Sequence, residues 1–287
     1  MSQDPAAVEG VGATALGAAM MRAQESSRSD RLFDDPYAAS FVAAAPPPFE
    51  DVPDAGDGEL AALEAAFRAA MVVRTCFFDE YLVSAVSSGC RQVVLLAAGL
   101  DTRAFRLAWP QGTRLFELDL PEVFTFKEAV LSRHGADPGC ERTIVAVDLR
   151  HEWPSTLREA GFDPTVPTAW TAEGLLAYLT HEEAARLLTD VGELSAAGSQ
   201  LAFEQSSFAS DSVLDDARNL QAMEQVSSMW KGGLNADAAA WLEPRGWEVH
   251  ALERSEVAAK LGRHMPGESA GGFLTATRDA SSGRTAP

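Results

Sequence analysis

The sequence predicts a doubly wound α/β sheet, and three observations carry that prediction. Short apolar runs rich in Val, Leu and Ala, of the length of buried strands, recur between residues 91 and 203. Helix-like segments separate them, which implies parallel strands joined by right-handed crossovers. Each run is closely followed by a carboxylate, at Asp101, Asp119, Asp148, Glu173 and Glu204, where the strand ends of such a sheet line a ligand crevice.

Composition sets the bounds. The 287 residues hold 42 Asp+Glu against 23 Lys+Arg, a formal net charge of −19, which speaks against nucleic acid and against an anionic membrane surface as partners. With 46% apolar and 23% charged residues the chain can build a large core, and no obvious linker divides it, so one domain with additions is expected. Cys76, Cys90 and Cys140 are odd in number and widely spaced, so they predict neither a disulfide framework nor a metal knuckle, and a reduced, cytoplasmic setting is expected. His134, His151, His181, His250 and His264 show no ligand spacing, so no metal site is expected. The first ten residues lack a basic stretch before an apolar one and do not read as a signal peptide. No run approaches the ~20 apolar residues that span a bilayer.

Taken in order, residues 11–49 predict short helices, punctuated by Asp35-Pro36 and broken at Pro46-Pro47-Pro48, with a loop over 51–58. Leu60, Leu63, Phe67, Met71, Phe78, Tyr81, Leu82 and Ala85 recur at three- and four-residue steps, one face of a helix from about 59 to 87. Arg74 lies on or beside that face, and a charge there needs an anionic partner. Strands are predicted at 91–98 (RQVVLLAA), 114–118 (RLFEL), 143–147 (TIVAV), 168–171 (TAWT) and 200–203 (QLAF), with helices at 120–134, 154–160 and 182–194 between them. Thr180 and Glu183 form a capping box before the last helix, with His181 a solvated first-turn residue. Two more strands, 247–252 (WEVHAL) and 272–277 (GFLTAT), are separated by a loop with Pro266 and Gly267, and a frayed tail begins at Ala280.

The first strand ends in Gly99, where the absence of a Cβ lets a ligand approach the backbone. Asp119 follows 20 residues later, the interval at which a nucleotide site sets an acid against a ribose diol, although Asp119 also reads as a helix N-cap. The loop is A-A-G-L-D-T rather than G-x-G-x-x-G, and its acids would repel a pyrophosphate. That lowers NAD or FAD relative to a nucleoside without phosphate, and S-adenosyl-L-methionine is such a ligand, with a cationic sulfonium suited to an acidic rim. Bland readings stand beside these: Asp148 as a turn residue, Arg74 paired internally, Glu173 satisfied by backbone amides, Glu204 merely solvated, Asp101 and Arg103 paired locally, Trp230 as core, and Cys76 as a small buried residue.

The blocks VVLLAAGLDTRAFRL (93–107), FELDLPEVFTFK (116–127), VAVDLR (145–150) and AEGLLAYL (172–179) resemble the leucine carboxyl methyltransferase superfamily. They are most similar to its actinobacterial branch of S-adenosyl-L-methionine-dependent methyltransferases, as are VGATALGAAMMRAQE, DRLFDDPYAASFV, RTCFFDE, WKGGL and GGFLTATR. The resemblance covers nearly the whole chain, in order. It implies a class I methyltransferase (Rossmann-like) sheet of seven strands, the last antiparallel, with amino-terminal helices over the cofactor. The expected division is 1–88 as helical cover, 89–279 as core and 280–287 as tail. Carried over by position, Asp119 would bind the cofactor ribose, Asp148 and Leu149 the adenine, Arg74 the carboxylate, and Glu173 would lie near the methionine moiety, with Gly99 the close-approach glycine. Glu204, Trp230 and Lys231 are candidates for the acceptor side. The chain departs from the pattern at Ala97, where a glycine is usual, and at Cys76, where a polar residue is common. The implied reaction is O-methylation of a small-molecule or carboxylate acceptor, with no catalytic residue assigned; a nicotinamide oxidoreductase and a non-catalytic cofactor-binding protein are the alternatives.

Overall fold

The computed structural model describes residues 11–45, 59–205, 230–234, 238–265 and 271–279. Helix α1 (Val11–Ser26) and α2 (Ala38–Ala44) precede the long α3 (Glu59–Ser87). Strands and helices then alternate: β1 (Gln92–Leu96), α4 (Arg103–Arg106), β2 (Arg114–Asp119), α5 (Pro121–Arg133), β3 (Glu141–Ala146), α6 (Pro154–Glu159), β4 (Thr168–Ala172), α7 (His181–Glu193) and β5 (Gln200–Gln205). The chain closes with α8 (Ala238–Leu242), β6 (Trp247–Glu253), α9 (Arg254–Lys260) and β7 (Gly272–Arg278).

The seven strands form one sheet in the order β3-β2-β1-β4-β5-β7-β6, parallel except for β7, which runs antiparallel to both neighbours. From β1 the chain steps outward to β2 and β3, then crosses back to β4 on the other side of β1, so the strand order reverses between β1 and β4. That reversal opens the crevice in which doubly wound sheets bind ligands.

Every residue of β1 is buried, because both faces are covered. The two-residue period sends Val94 and Leu96 into a cluster with Phe116, Trp170, Leu187 and Phe203, while Val93 and Leu95 join Phe78, Leu82, Leu115 and Phe273 under α3. A third cluster sets Leu16, Ala19 and Phe41 of α1 and α2 against Leu100, Phe126 and Val130. The amino-terminal helices thus seat on the loop after β1 and on α5.

Several sequence expectations need correction. Phe67 is 39% exposed, so among the described side chains of α3 the buried apolar face runs from about Val72 onward; the side chains of Leu60 and Leu63 lie outside the described residues. The connection between the last two strands holds helix α9 before the stretch with Pro266 and Gly267, which lies outside the described residues with Pro46–Pro48, 51–58 and the tail from 280. The N-cap of α5 is Leu120, not Asp119, because Pro121 supplies the first helical residue and Leu120 takes the extended conformation before it. The capping box at Thr180 and Glu183 is present in both directions. No described helix is long and apolar enough to cross a membrane. Cys76, Cys90 and Cys140 are free thiols, and burial pushes the Cys76 thiol up to about 12.

Candidate active site

The loop after β1 is built from two left-handed residues. Gly99 has φ +51° and Ala97 φ +54°, the latter a conformation that crowds the Cβ of any residue other than glycine. The loop is held by bonds to its neighbours: Ala98 N–H donates to the Leu118 carbonyl at 2.9 Å, and Gly99 N–H to Asp119 Oδ2 at 2.6 Å. A Cβ at Gly99 would lie 3.4 Å from the Ala15 Cβ, so α1 passes directly over the glycine.

Asp119 stands at the end of β2, with its other oxygen accepting from Leu120 N–H at 2.7 Å. Burial pushes its carboxyl above the usual range, only partly offset by the Gly99 and Leu120 amides. Among the described residues it takes part in no ion pair. A carboxylate has about four acceptor positions, so two bonds leave capacity for a hydroxyl pair. Alongside, Ala146 pairs with Asp119 across β2 and β3, which brings Asp148 and Leu149 to the same edge. Arg150 grips Asp148 through Nε and Nη2 at 2.9 and 2.6 Å and holds its carboxyl down at about 2. Leu149 is buried beside it in the first core cluster.

Across the crevice, Ala172 pairs with Phe203, so Glu173 and Glu204 emerge from adjacent strand ends as like charges. Arginines neutralise them. Arg74 of α3 places Nε 2.9 Å from Glu173 Oε1, without hydrogen-bond alignment, and Nη1 3.1 Å from Glu204 Oε2. Burial opposes the charge on Arg74, but Glu204 and Glu173 outweigh it and raise its pKa. Gly174, at φ +62°, makes room: a Cβ there would meet Arg74 Nη1 at 3.1 Å. Arg103, 3% exposed, reaches Glu173 Oε2 at 2.7 Å and Asp79 Oδ1 at 2.6 Å and also pairs with Asp101. Burial works against ionisation of Asp101, yet Arg103 holds its carboxyl down at about 2. Arg106 bonds Asp79 with two nitrogens, and Arg254 lies 3.2 Å from Glu204 Oε1.

This network corrects the expectation of an acidic rim. Glu173 and Glu204 meet arginines from distant parts of the chain, Asp101 meets Arg103 and Asp148 meets Arg150 two residues on; among the described residues, Asp119 alone of the five strand-end acids is bonded only by amides. Glu173 is satisfied by guanidinium groups rather than backbone amides, and Glu204 is not merely solvated. The pairing of Asp101 with Arg103 is present, within a wider cluster.

Trp230 is half-buried and Lys231 is exposed. Lys231 and Gly232 donate backbone N–H groups to the Ala177 carbonyl, which seats this segment on the turn after β4. The Lys231 ammonium is 3.4 Å from Glu183 Oε2. A small groove at the end of β5 is lined by Leu176, Phe203, Glu204, Gly233, Leu234 and Ala238, next to that segment. The structure therefore brings Arg74, Glu173 and Glu204 into contact and Gly99 against Asp119, and leaves Lys231 at the rim.

Sequence reasoning missed the reach of Arg103 and the roles of Asp79, Arg22 and Asp35. Arg22 and Asp35 are 13 residues apart, and the other long-range partners lie 24 to 78 residues away, so no local spacing signals them.

Comparison with known proteins matches residues 15–192 to the leucine carboxyl methyltransferase family. A Parafrankia protein is 49% identical over 271 residues, covering 94% of this chain and 87% of its own length, and carries the provisional name S-adenosyl-L-methionine-dependent methyltransferase. A Frankia alni protein with the same provisional name is 51% identical over 270 residues, covering 94% and 95%. Among solved structures, a duf574 family protein from Streptomyces avermitilis superposes with a TM-score of 0.59 at 17% identity, over 91% of this chain and 97% of that one, a likeness of fold.

Proposed function

The chain belongs to the leucine carboxyl methyltransferase family, and from that membership we propose methyl transfer from S-adenosyl-L-methionine to an oxygen of a small-molecule or carboxylate acceptor. It is an S-adenosyl-L-methionine-dependent methyltransferase; the acceptor and the oxygen are the proposal. The observation that carries the cofactor reading is Asp119, a buried carboxylate at the end of β2 beside the β1 loop, bonded among the described residues by two amides and no cation. Its remaining acceptor positions match two adjacent ribose hydroxyls. Gly99 forms the turn that sets the loop against Asp119, its Cβ side covered by Ala15 of α1, and the Asp148–Leu149 pair at the end of β3 offers an acceptor and an apolar surface to the adenine. On the opposite side, Arg74 and Glu173 form a mixed-charge pair that suits the carboxylate and ammonium of an amino-acid group.

Bound cofactor supplies an electrophilic methyl group on a sulfonium, so the protein's share is to orient the acceptor and exclude water. Transfer would leave the electron pair of the methyl–sulfur bond on sulfur and form a methyl–oxygen bond on the acceptor. Glu204, which lines the groove, and Glu173 at the neighbouring strand end are each engaged by two guanidinium groups, so neither carboxylate is free to reach a proton on the acceptor. An acceptor oxygen that arrives ionised needs no base, and this supports a carboxylate acceptor. Glu204, Trp230 and Lys231 are the residues we assign to the acceptor side.

Calorimetric titration tests the cofactor reading: S-adenosylhomocysteine should release heat and NADH none, and the reverse would assign a nicotinamide oxidoreductase. A screen of acceptors with labelled methyl donor tests the chemistry, with label expected in a base-labile methyl ester. Label found only in base-stable ethers would overturn the carboxylate assignment.

A further inference from the structure

The segment between α1 and α2 carries a buried charge cluster that the proposed roles leave unused. Asp35 has a side chain with no exposure, and its carboxylate accepts from four donors: Arg22 Nε at 2.7 Å, Thr102 Oγ1 at 2.8 Å, and the backbone N–H groups of Tyr37 and Ala38, each at 3.1 Å. Its own N–H donates to Ser26 Oγ at 2.8 Å, which fixes the residue at the turn before Pro36. Arg22 uses a second nitrogen, Nη2, to donate to the Leu100 carbonyl at 2.6 Å. Both outward bonds land on the loop of Gly99: one on the carbonyl of the next residue, the other on the hydroxyl three residues on.

That loop needs outside support. It places Ala97 and Gly99 in the left-handed region, and its inner side is fastened by Asp119. A conformation of this kind persists only where its surroundings hold it. Arg22 and Asp35 are the outer fastening, and a desolvated pair of charges keeps its geometry because each member loses heavily without the other.

We propose that Arg22 and Asp35 are positioning residues of the cofactor site, which set the backbone of the Gly99 loop through Leu100 and Thr102, so that the amino-terminal helices are part of the site as well as its cover. This rests on the cofactor reading above. Thr102 is the probe, because Thr102→Val keeps the shape and removes only the donor to Asp35, whereas Thr102→Ser restores it. Wild type should bind S-adenosylhomocysteine in calorimetry. Thr102→Val and Arg22→Gln should each weaken that binding about fivefold, the worth of one hydrogen bond, and Thr102→Ser should stay within about twofold of wild type. In the double variant the losses should fall short of additive, because both act through Asp35. If Thr102→Val lowers the melting temperature and leaves the affinity at the wild-type value, the cluster is a structural fastening and the proposal fails. If the variants do not fold, hydrogen exchange on wild type decides: added ligand should slow the amides of 20–38 together with those of 98–103, and slowing confined to 98–103 overturns the coupling. Absence of binding by wild type would overturn the cofactor reading itself and is read separately.

Discussion

At the scale of single residues, Asp119 is the group whose protonation the site depends on. Its folded pKa is raised by burial, so it takes up a proton at a higher pH than an ordinary Asp does, whereas ribose hydroxyls as donors require the ionised form. Affinity for S-adenosylhomocysteine should therefore be full at neutral pH and be lost as pH falls, beginning above the value of about 3.9 of an ordinary Asp. Calorimetry across this range checks it, and Asp119→Asn should remove the dependence and weaken binding by about tenfold or more. Ala97 offers a second test. A left-handed alanine costs roughly 1–2 kcal/mol, partly offset by the freedom glycine has when unfolded, so Ala97→Gly should stabilise the fold by about 0.5–1 kcal/mol in urea denaturation. A loss of stability in that variant would mean that the alanine methyl contributes packing that outweighs the strain.

At the scale of elements, the fold is joined at two kinds of place that differ in their sensitivity. Arg103 ties α3, the β1 loop and the end of β4 together through Asp79, Asp101 and Glu173. Arg103→Met leaves the buried Asp101 without its cation and takes one of two cations from Asp79 and from Glu173, which keep Arg106 and Arg74, and a loss of about 3–5 kcal/mol is expected. The capping box of α7 is local and partly solvated, so Thr180→Ala should cost only about 1 kcal/mol. Denaturant titration of the two variants side by side ranks them. The antiparallel edge has its own constraint: a Cβ at Gly272 would fall 2.0 Å from the Leu252 carbonyl oxygen, a backbone atom that cannot yield without shifting the β6–β7 ladder.

At the scale of the whole molecule, the charge of −19 and the charge of the site are separate matters. Arg74, Arg103, Arg106 and Arg254 face Asp79, Asp101, Glu173 and Glu204, four cations against four anions, so this cluster adds nothing to the excess. The uncompensated acids lie elsewhere, where their mutual repulsion is screened by salt over a Debye length of about 10 Å at 0.1 M. Added potassium chloride should then raise the melting temperature at neutral pH, and raise it less as the pH is lowered toward the isoelectric point. A melting temperature that falls with salt would place the main electrostatic contribution in the internal pairs instead.

The sequence by itself determined the strands, their parallel direction through β5, the loop after β1 and the position of Asp119 at the end of β2, because burial on two faces, crossover connections and the interval from glycine to acid are all local or periodic properties of a chain. It also located Arg74 as a charge in want of a partner. Only the tertiary structure decided which partner. The acids that follow the strands read as one negative rim when taken along the chain, yet Arg74 meets Glu204 across 130 residues and Arg103 meets Glu173 across 70. Coulomb energy depends on distance in space, and pairs so far apart in sequence acquire a distance only when the sheet, α3 and α4 have packed.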